Sequence, residues 1–215
     1  LFPSADLPAD AFATIASDGF LDENGDAFTN WSVTGSYVQS TLNRGQLATR
    51  GMSNSLSAQL SLPGSDLEFF KINYRGEMYL PIYGEFTFHL RGEVGYGDGY
   101  GDTTELPFYE HFFAGGFGSI RGFENSTLGP RSTPPLDENG NPIIFSSFDN
   151  DGRYGQPFGG NLLLEFSAEL IFPLPFVEDN RQFRPALFFD VGNVFNTECP
   201  TVSTNCFDLS TSFTV

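Results

Sequence analysis

Cationic side chains are scarce in this sequence. Its 215 residues hold ten lysines and arginines together, against 27 acids, for a formal net charge of −17. Lys71 is the only lysine. No basic footprint for a phosphate backbone can be assembled from such a chain, which excludes a nucleic-acid binder. Charged residues make up 17% of the whole, below the roughly 25% of ordinary soluble proteins. Cysteine and histidine occur twice each. No run of 18 apolar residues exists, so no segment is suited to cross a membrane as a helix. What is abundant is phenylalanine, at 25 residues, with 24 glycines and 14 prolines. These are strand formers and turn formers.

The strand formers fall into a period of two. From 51 to 62, Leu56, Ala58, Leu60 and Leu62 alternate with Ser55, Ser57, Gln59 and Ser61. From 69 to 82, Phe70, Ile72, Tyr74, Met78 and Leu80 oppose Lys71, Asn73, Arg75 and Glu77. From 86 to 96, Phe86, Phe88, Leu90, Val94 and Tyr96 oppose Thr87, His89, Arg91 and Glu93. From 160 to 172, Leu162, Leu164, Phe166 and Leu170 oppose Asn161, Glu165, Ser167 and Glu169. From 184 to 195, Leu187, Phe189 and Val191 oppose Arg184 and Asp190. A weaker alternation covers 31–43, and Asp208–Val215 begins a seventh strand.

A soluble β-sandwich would also alternate. Here, however, the strands run to about 11–14 residues, where soluble strands cluster near 5–6. Full charges on one face stand opposite a broad aromatic and aliphatic face. Apolar-out, polar-in alternation at bilayer-crossing length predicts an all-β, antiparallel transmembrane β-barrel. About seven consecutive meander strands fall short of the smallest closed single-chain barrel, so the expectation is an incomplete portion of a larger one. Connections 44–50, 82–85 and 173–182 gather at one end. The long ones, 1–30, 63–68, 102–159 and 197–207, gather at the other, with over half of the acids, Glu110 among them. Long loops of such barrels face the cell exterior, so residues 1–30 are expected to be an extracellular loop.

Residues 102–159 have no period and are far longer than an ordinary connection. The stretch from Leu106 to Phe123 is rich in aromatic residues that would be costly to leave in water. Gly115, Gly116 and Gly118 permit sharp turns, and Arg121 follows them. This composition predicts a loop that folds back into the lumen and is pinned by Arg121. Strand parity offers Glu169 and Asp190 on the inner wall as its partners.

The segment Phe108–Pro130, with its Arg121-Gly122-Phe123 triplet, resembles the arginine-glycine-phenylalanine loop of the bacterial outer-membrane protein assembly factor (BamA) family. The likeness continues in Gly159-Gly160-Asn161, Ala168–Phe176 and Phe188–Asn193, and also in Leu42–Gly45 and Gly95–Gly99. It implies part of an insertase that folds β-barrel proteins into the bacterial outer membrane. By position it also implies Arg121, Gly122, Phe123, Glu169 and Asp190 as a loop-anchor and lumen network. The implied partners are outer-membrane lipids, unfolded outer-membrane protein clients and assembly-complex lipoproteins reached through periplasmic domains. The family's insertion junction lies between its first and last strands, so this segment is expected to supply the loop anchor and the back wall. A related secretion pore shares the anchor and stays open as an alternative; a passive porin would lack it.

Other constellations are weaker. Asp22-x-Asn24-x-Asp26 and Asp137-x-Asn139-x-Asn141 begin like calcium loops but fail at the sixth and twelfth positions, so no metal site is assigned. His89 and His111 lie in no metal-ligand or triad spacing, so neither a cofactor nor enzyme chemistry is expected. His89 reads as a lumen-wall polar residue. Gly95, Gly97, Gly99 and Gly101 share lumen parity, and either leave room for the loop or mark a flexible strand end. Cys199 and Cys206, close together in an otherwise cysteine-free exported chain, are a disulfide candidate. Residues 8–17 are the one helix candidate.

Overall fold

The computed structural model describes residues 28–45, 47–130, 157–173 and 184–197. Six strands lie in chain order: β1 Ser32–Ser40, β2 Gly51–Ser61, β3 Phe69–Tyr83, β4 Phe86–Gly99, β5 Leu162–Ile171 and β6 Ala186–Phe195. They form one six-stranded sheet in the order β1-β2-β3-β4-β5-β6, with every neighbouring pair antiparallel. Among the described residues there is one sheet and no second layer of a sandwich. Strand β4 pairs with β5 despite the long connection between them. The seventh predicted strand, the helix candidate at 8–17, both calcium-like segments and the two cysteines lie outside the described residues.

The period of two becomes two chemically distinct faces because successive side chains leave a strand on opposite sides. Leu56, Leu60, Ile72, Tyr74, Leu80, Val94, Leu164, Phe166, Leu187, Phe189 and Val191 are all exposed on one face. The opposite face buries Thr87, His89, Glu93 and Ser167. The burial is therefore inverted relative to a water-soluble sheet, where the apolar face would be covered. Hydrocarbon is the solvent that suits such an outer face, and antiparallel pairing satisfies the backbone groups between neighbouring strands.

The short connections meet at one end. Arg184 donates from Nη1 to the carbonyls of Leu47 (2.8 Å) and Ala48 (3.2 Å), tying the β1–β2 turn to the chain entering β6. The other end is built from the longer connections. Ser61 Oγ donates to Leu67 O at 2.6 Å, Tyr100 N to Glu68 O at 2.8 Å, and Glu68 N to Thr103 Oγ1 at 2.8 Å. Leu67, Phe69 and Leu106 form a small apolar core there, with Phe28 and Phe108 against it. A second core joins Phe112, Ala114, Leu163 and Val194, with Leu128 beside them. Phe69, Leu163 and Val194 occupy the polar face, and the alternation pattern gives no sign of why. They are apolar because the returning loop covers them.

Candidate functional site

The described part of the loop after β4, up to residue 130, does not extend away from the sheet. It passes through a short 3-10 turn at Phe108–Glu110 and then lies along the polar face. Phe112 exchanges backbone hydrogen bonds with Gly160, at 2.8 and 3.1 Å, and Leu128 N donates to Ala114 O at 3.1 Å. The glycines of β4 make space for this path. A Cβ on Gly95 would stand 2.5 Å from Phe112 Cε1, and one on Gly97 would stand 3.0 Å from Leu106 Cδ2. The glycine row is thus a seat for the loop.

Gly115 and Gly116, at φ 109° and 97°, reverse the chain in a conformation that side chains resist. The turn brings Ser119 and Arg121 down onto β4, β5 and β6. Arg91 Nη2 donates to Ser119 O at 2.9 Å, Ser119 Oγ donates to Glu165 Oε1, and Arg121 follows immediately.

Arg121 uses its planar fork fully. Nε donates to Asp190 Oδ2 at 2.7 Å and Nη2 to Asp190 Oδ1 at 2.6 Å. Its backbone N–H adds a third bond to Oδ2 at 3.1 Å. Nη1 donates to Glu169 Oε1, and Nη2 also reaches Ser167 Oγ at 3.0 Å. Ser167 in turn donates to Asp190 Oδ1 at 2.7 Å. The guanidinium carbon lies 3.8 Å from the centre of the Phe188 ring, adding a cation–π contact. Asp190 is 3% exposed, and Arg121 and Glu169 are 18% and 19% exposed. Charge-assisted bonds of this kind are short and strong, and they hold the guanidinium firmly charged: the Asp190 hydrogen bond raises its pKa above the usual range.

Register explains why these groups meet. Ser167 stands directly opposite Asp190 across β5 and β6. His89 stands directly opposite Glu169 across β4 and β5, and Tyr79 opposite His89 across β3 and β4. His89 Nδ1 donates to Glu169 Oε2 at 3.0 Å, and its ring stacks on Tyr79 with centroids 4.1 Å apart. Glu77 lies 3.7 Å from His89 Nε2. The network therefore runs Glu77–His89–Glu169–Arg121–Asp190–Ser167. Sequence reasoning singled out neither Ser167 nor Phe188 as partners, although both have the parity of the polar face.

The other two residues of the triplet lie differently. Gly122 has φ 93° and open space around its Cα. Phe123 is 54% exposed. Glu110, grouped by sequence with the acids of the long-loop end, sits instead against Lys71 and Gln59 on the wall. His111 donates from Nδ1 to Phe158 O at 3.0 Å; burial pushes its pKa below the ordinary imidazole value of 6.5. Among the described residues no group of His, Cys, Asp and Glu could hold a metal ion.

Residues 6–212 match the Omp85 superfamily domain. The outer membrane protein assembly factor BamA of Neisseria meningitidis serogroup B is 40% identical over 148 residues, 69% of this chain and 17% of that protein. A SAM50-like protein of Schizosaccharomyces pombe is 26% identical over 190 residues, 86% of this chain and 35% of that protein. The crystal structure of BamA from Haemophilus ducreyi lacking POTRA domains 1–3 superposes with a TM-score of 0.71 at 28% identity, covering 86% of this chain and 36% of that one. The chain thus spans about a sixth to a third of the length of these relatives. With its meander order, apolar outer face and match over nearly its whole length, the chain belongs to the Omp85 superfamily, as a run of consecutive strands from an outer-membrane β-barrel.

Proposed function

We propose that this chain is the loop-bearing wall of an insertase that folds β-barrel proteins into the bacterial outer membrane. The observation that carries the reading is the loop seated on the polar face, with Arg121 bonded to both Glu169 and Asp190. The 40% identity to Neisseria BamA supports it.

The physical logic is non-covalent. An incoming strand in lipid must satisfy its backbone N–H and C=O groups on another strand, because hydrocarbon offers no partners. A catalyst of that step has to present its own strands in a fixed geometry while the client changes. The apolar outer face of β2–β6 rests against lipid. The loop, bonded to β4, β5 and β6 at once, resists shear between these strands. Arg121 is the anchor: one planar cation neutralises two acids that would otherwise repel on adjacent strands. Outer-membrane lipids and unfolded client barrels are the partners of this activity, and assembly lipoproteins would dock on periplasmic domains of the same protein.

The test is reconstitution of the full-length protein in liposomes with a urea-unfolded client barrel, scored by the gel-mobility shift of folded barrels. Faster client folding than in empty liposomes is the expected result. Ion conductance across the liposomes with unchanged client folding would favour a secretion pore or porin and overturn the proposal.

A further inference from the structure

We infer that Lys71 is a second anchor of the loop, independent of Arg121, so that the loop is a brace fixed at β2–β3 as well as at β5–β6. Lys71 is the only lysine in the sequence, and it stands on the polar face of β3. Its Nζ donates to the Glu110 carbonyl at 2.5 Å and to Glu110 Oε2 at 3.4 Å. The same ammonium lies 4.6 Å from the centre of the Phe112 ring. Gln59, its direct partner on β2, adds a bond from Nε2 to Glu110 Oε1 at 3.4 Å. Lys71 and Glu110 are 22% and 25% exposed, so water screens this pair only in part.

The surroundings show a built seat. On its β4 side Lys71 faces Gly97, and the next polar-face pair is Asn73 with Gly95. Those missing side chains are replaced by Leu106 and Phe112 of the loop. One compact ammonium with rotatable donors can serve a carbonyl, a carboxylate and a ring together, which a rigid guanidinium fork does less well. The two anchors share no contacting residue: Lys71 holds Glu110 and Phe112, while Arg121 holds Glu169, Asp190, Ser167 and Phe188. Sites without shared partners usually act additively, and that independence is what the experiment below reads. The inference rests on the insertase reading only for its biological consequence, a wall stiffened from β2 to β6.

Hydrogen–deuterium exchange on the full-length protein in detergent tests it. Lys71→Met should raise exchange in peptides covering 106–114 by about fivefold and leave 117–123 as in the parent, because exchange reads local opening. Arg121→Ala should show the reverse pattern. Unchanged exchange at 106–114 in Lys71→Met, or loosening of both segments by either substitution, would overturn the proposal. Should Lys71→Met fail to accumulate, Lys71→Gln keeps a polar side chain on the wall but carries no charge and ends short of the Glu110 carbonyl; the same local rise is expected, and its absence refutes the second anchor. No client is present in this experiment, so its failure and failure of the insertase reading are separate results.

Discussion

Asp190 receives three hydrogen bonds from Arg121, two from the guanidinium and one from the backbone N–H. Main chain and side chain of one loop residue thus converge on a single carboxylate that is 3% exposed. Removing either partner leaves a poorly solvated charge. Arg121→Ala or Asp190→Ala is therefore expected to cost about 3–5 kcal/mol of barrel stability, less where lumen water reaches the site. Arg121→Lys should recover little, because an ammonium cannot reproduce the fork. Urea midpoints of the full-length protein in detergent measure this; full recovery by lysine would show that charge alone matters.

The glycine seat gives a second expectation. Gly95→Val places a side chain where Phe112 Cε1 lies only 2.5 Å from the Cβ position. Overpacking of this kind costs ~1–3 kcal/mol, and here it should unseat the loop. Gly35→Ala on β1 meets nothing within 4 Å and should stay within ~0.5 kcal/mol of the parent. Protease sensitivity of the 106–130 segment distinguishes the two: cleavage in Gly95→Val and protection in Gly35→Ala is expected.

Acidification should loosen the upper part of the loop. Burial lowers the pKa of His111 in the folded chain below 6.5, so the unfolded chain binds the proton more readily. The stabilisation from the neutral ring is complete above pH 6.5 and is lost as pH falls below that toward the depressed folded value. His111→Gln should flatten this part of the dependence. The comparison is urea midpoints of parent and variant at pH 7.5 and 5.5; equal pH shifts in both would refute the assignment.

Charges on the two faces should differ in effect. Phe166 lies on the apolar face, opposite Gly92 on β4 and Val191 on β6. Phe166→Arg should cost ~2–4 kcal/mol if the position is near the bilayer midplane. Ser57→Arg, at a polar-face position of β2, should cost much less. Refolding titrations in lipid vesicles report the difference, and equal costs would contradict the assignment of faces.

The strands were legible because a period of two needs only alternation, and alternation survives in a single sequence. Leu56 to Leu62 and Phe70 to Leu80 declare their faces without any knowledge of neighbours. Parity put Glu169 and Asp190 on the lumen face together with Glu77, Glu93 and Glu165, and the likeness to the arginine-glycine-phenylalanine loop singled out the two that Arg121 meets. Register was harder to read. That His89 falls opposite Glu169, and Ser167 opposite Asp190, depends on hairpin lengths to the residue, and the period does not fix those. Glu110 was misleading for a different reason. Composition grouped it with the exterior acids, whereas the loop's inward course gives it to Lys71. Leu163 and Val194 break the polar alternation because their true solvent is the loop itself, which a strand-by-strand reading does not contain.

Client folding by the full-length protein in liposomes, compared between the parent, Arg121→Ala and Arg121→Lys, tests the central claim most directly. Each variant would first be shown to retain the parent's gel-mobility shift, so that a folded barrel is being assayed. The expected result is rapid client folding by the parent and rates near those of empty liposomes for both variants. Client folding by Arg121→Ala at the parent's rate would contradict the claim that the pinned loop serves insertion.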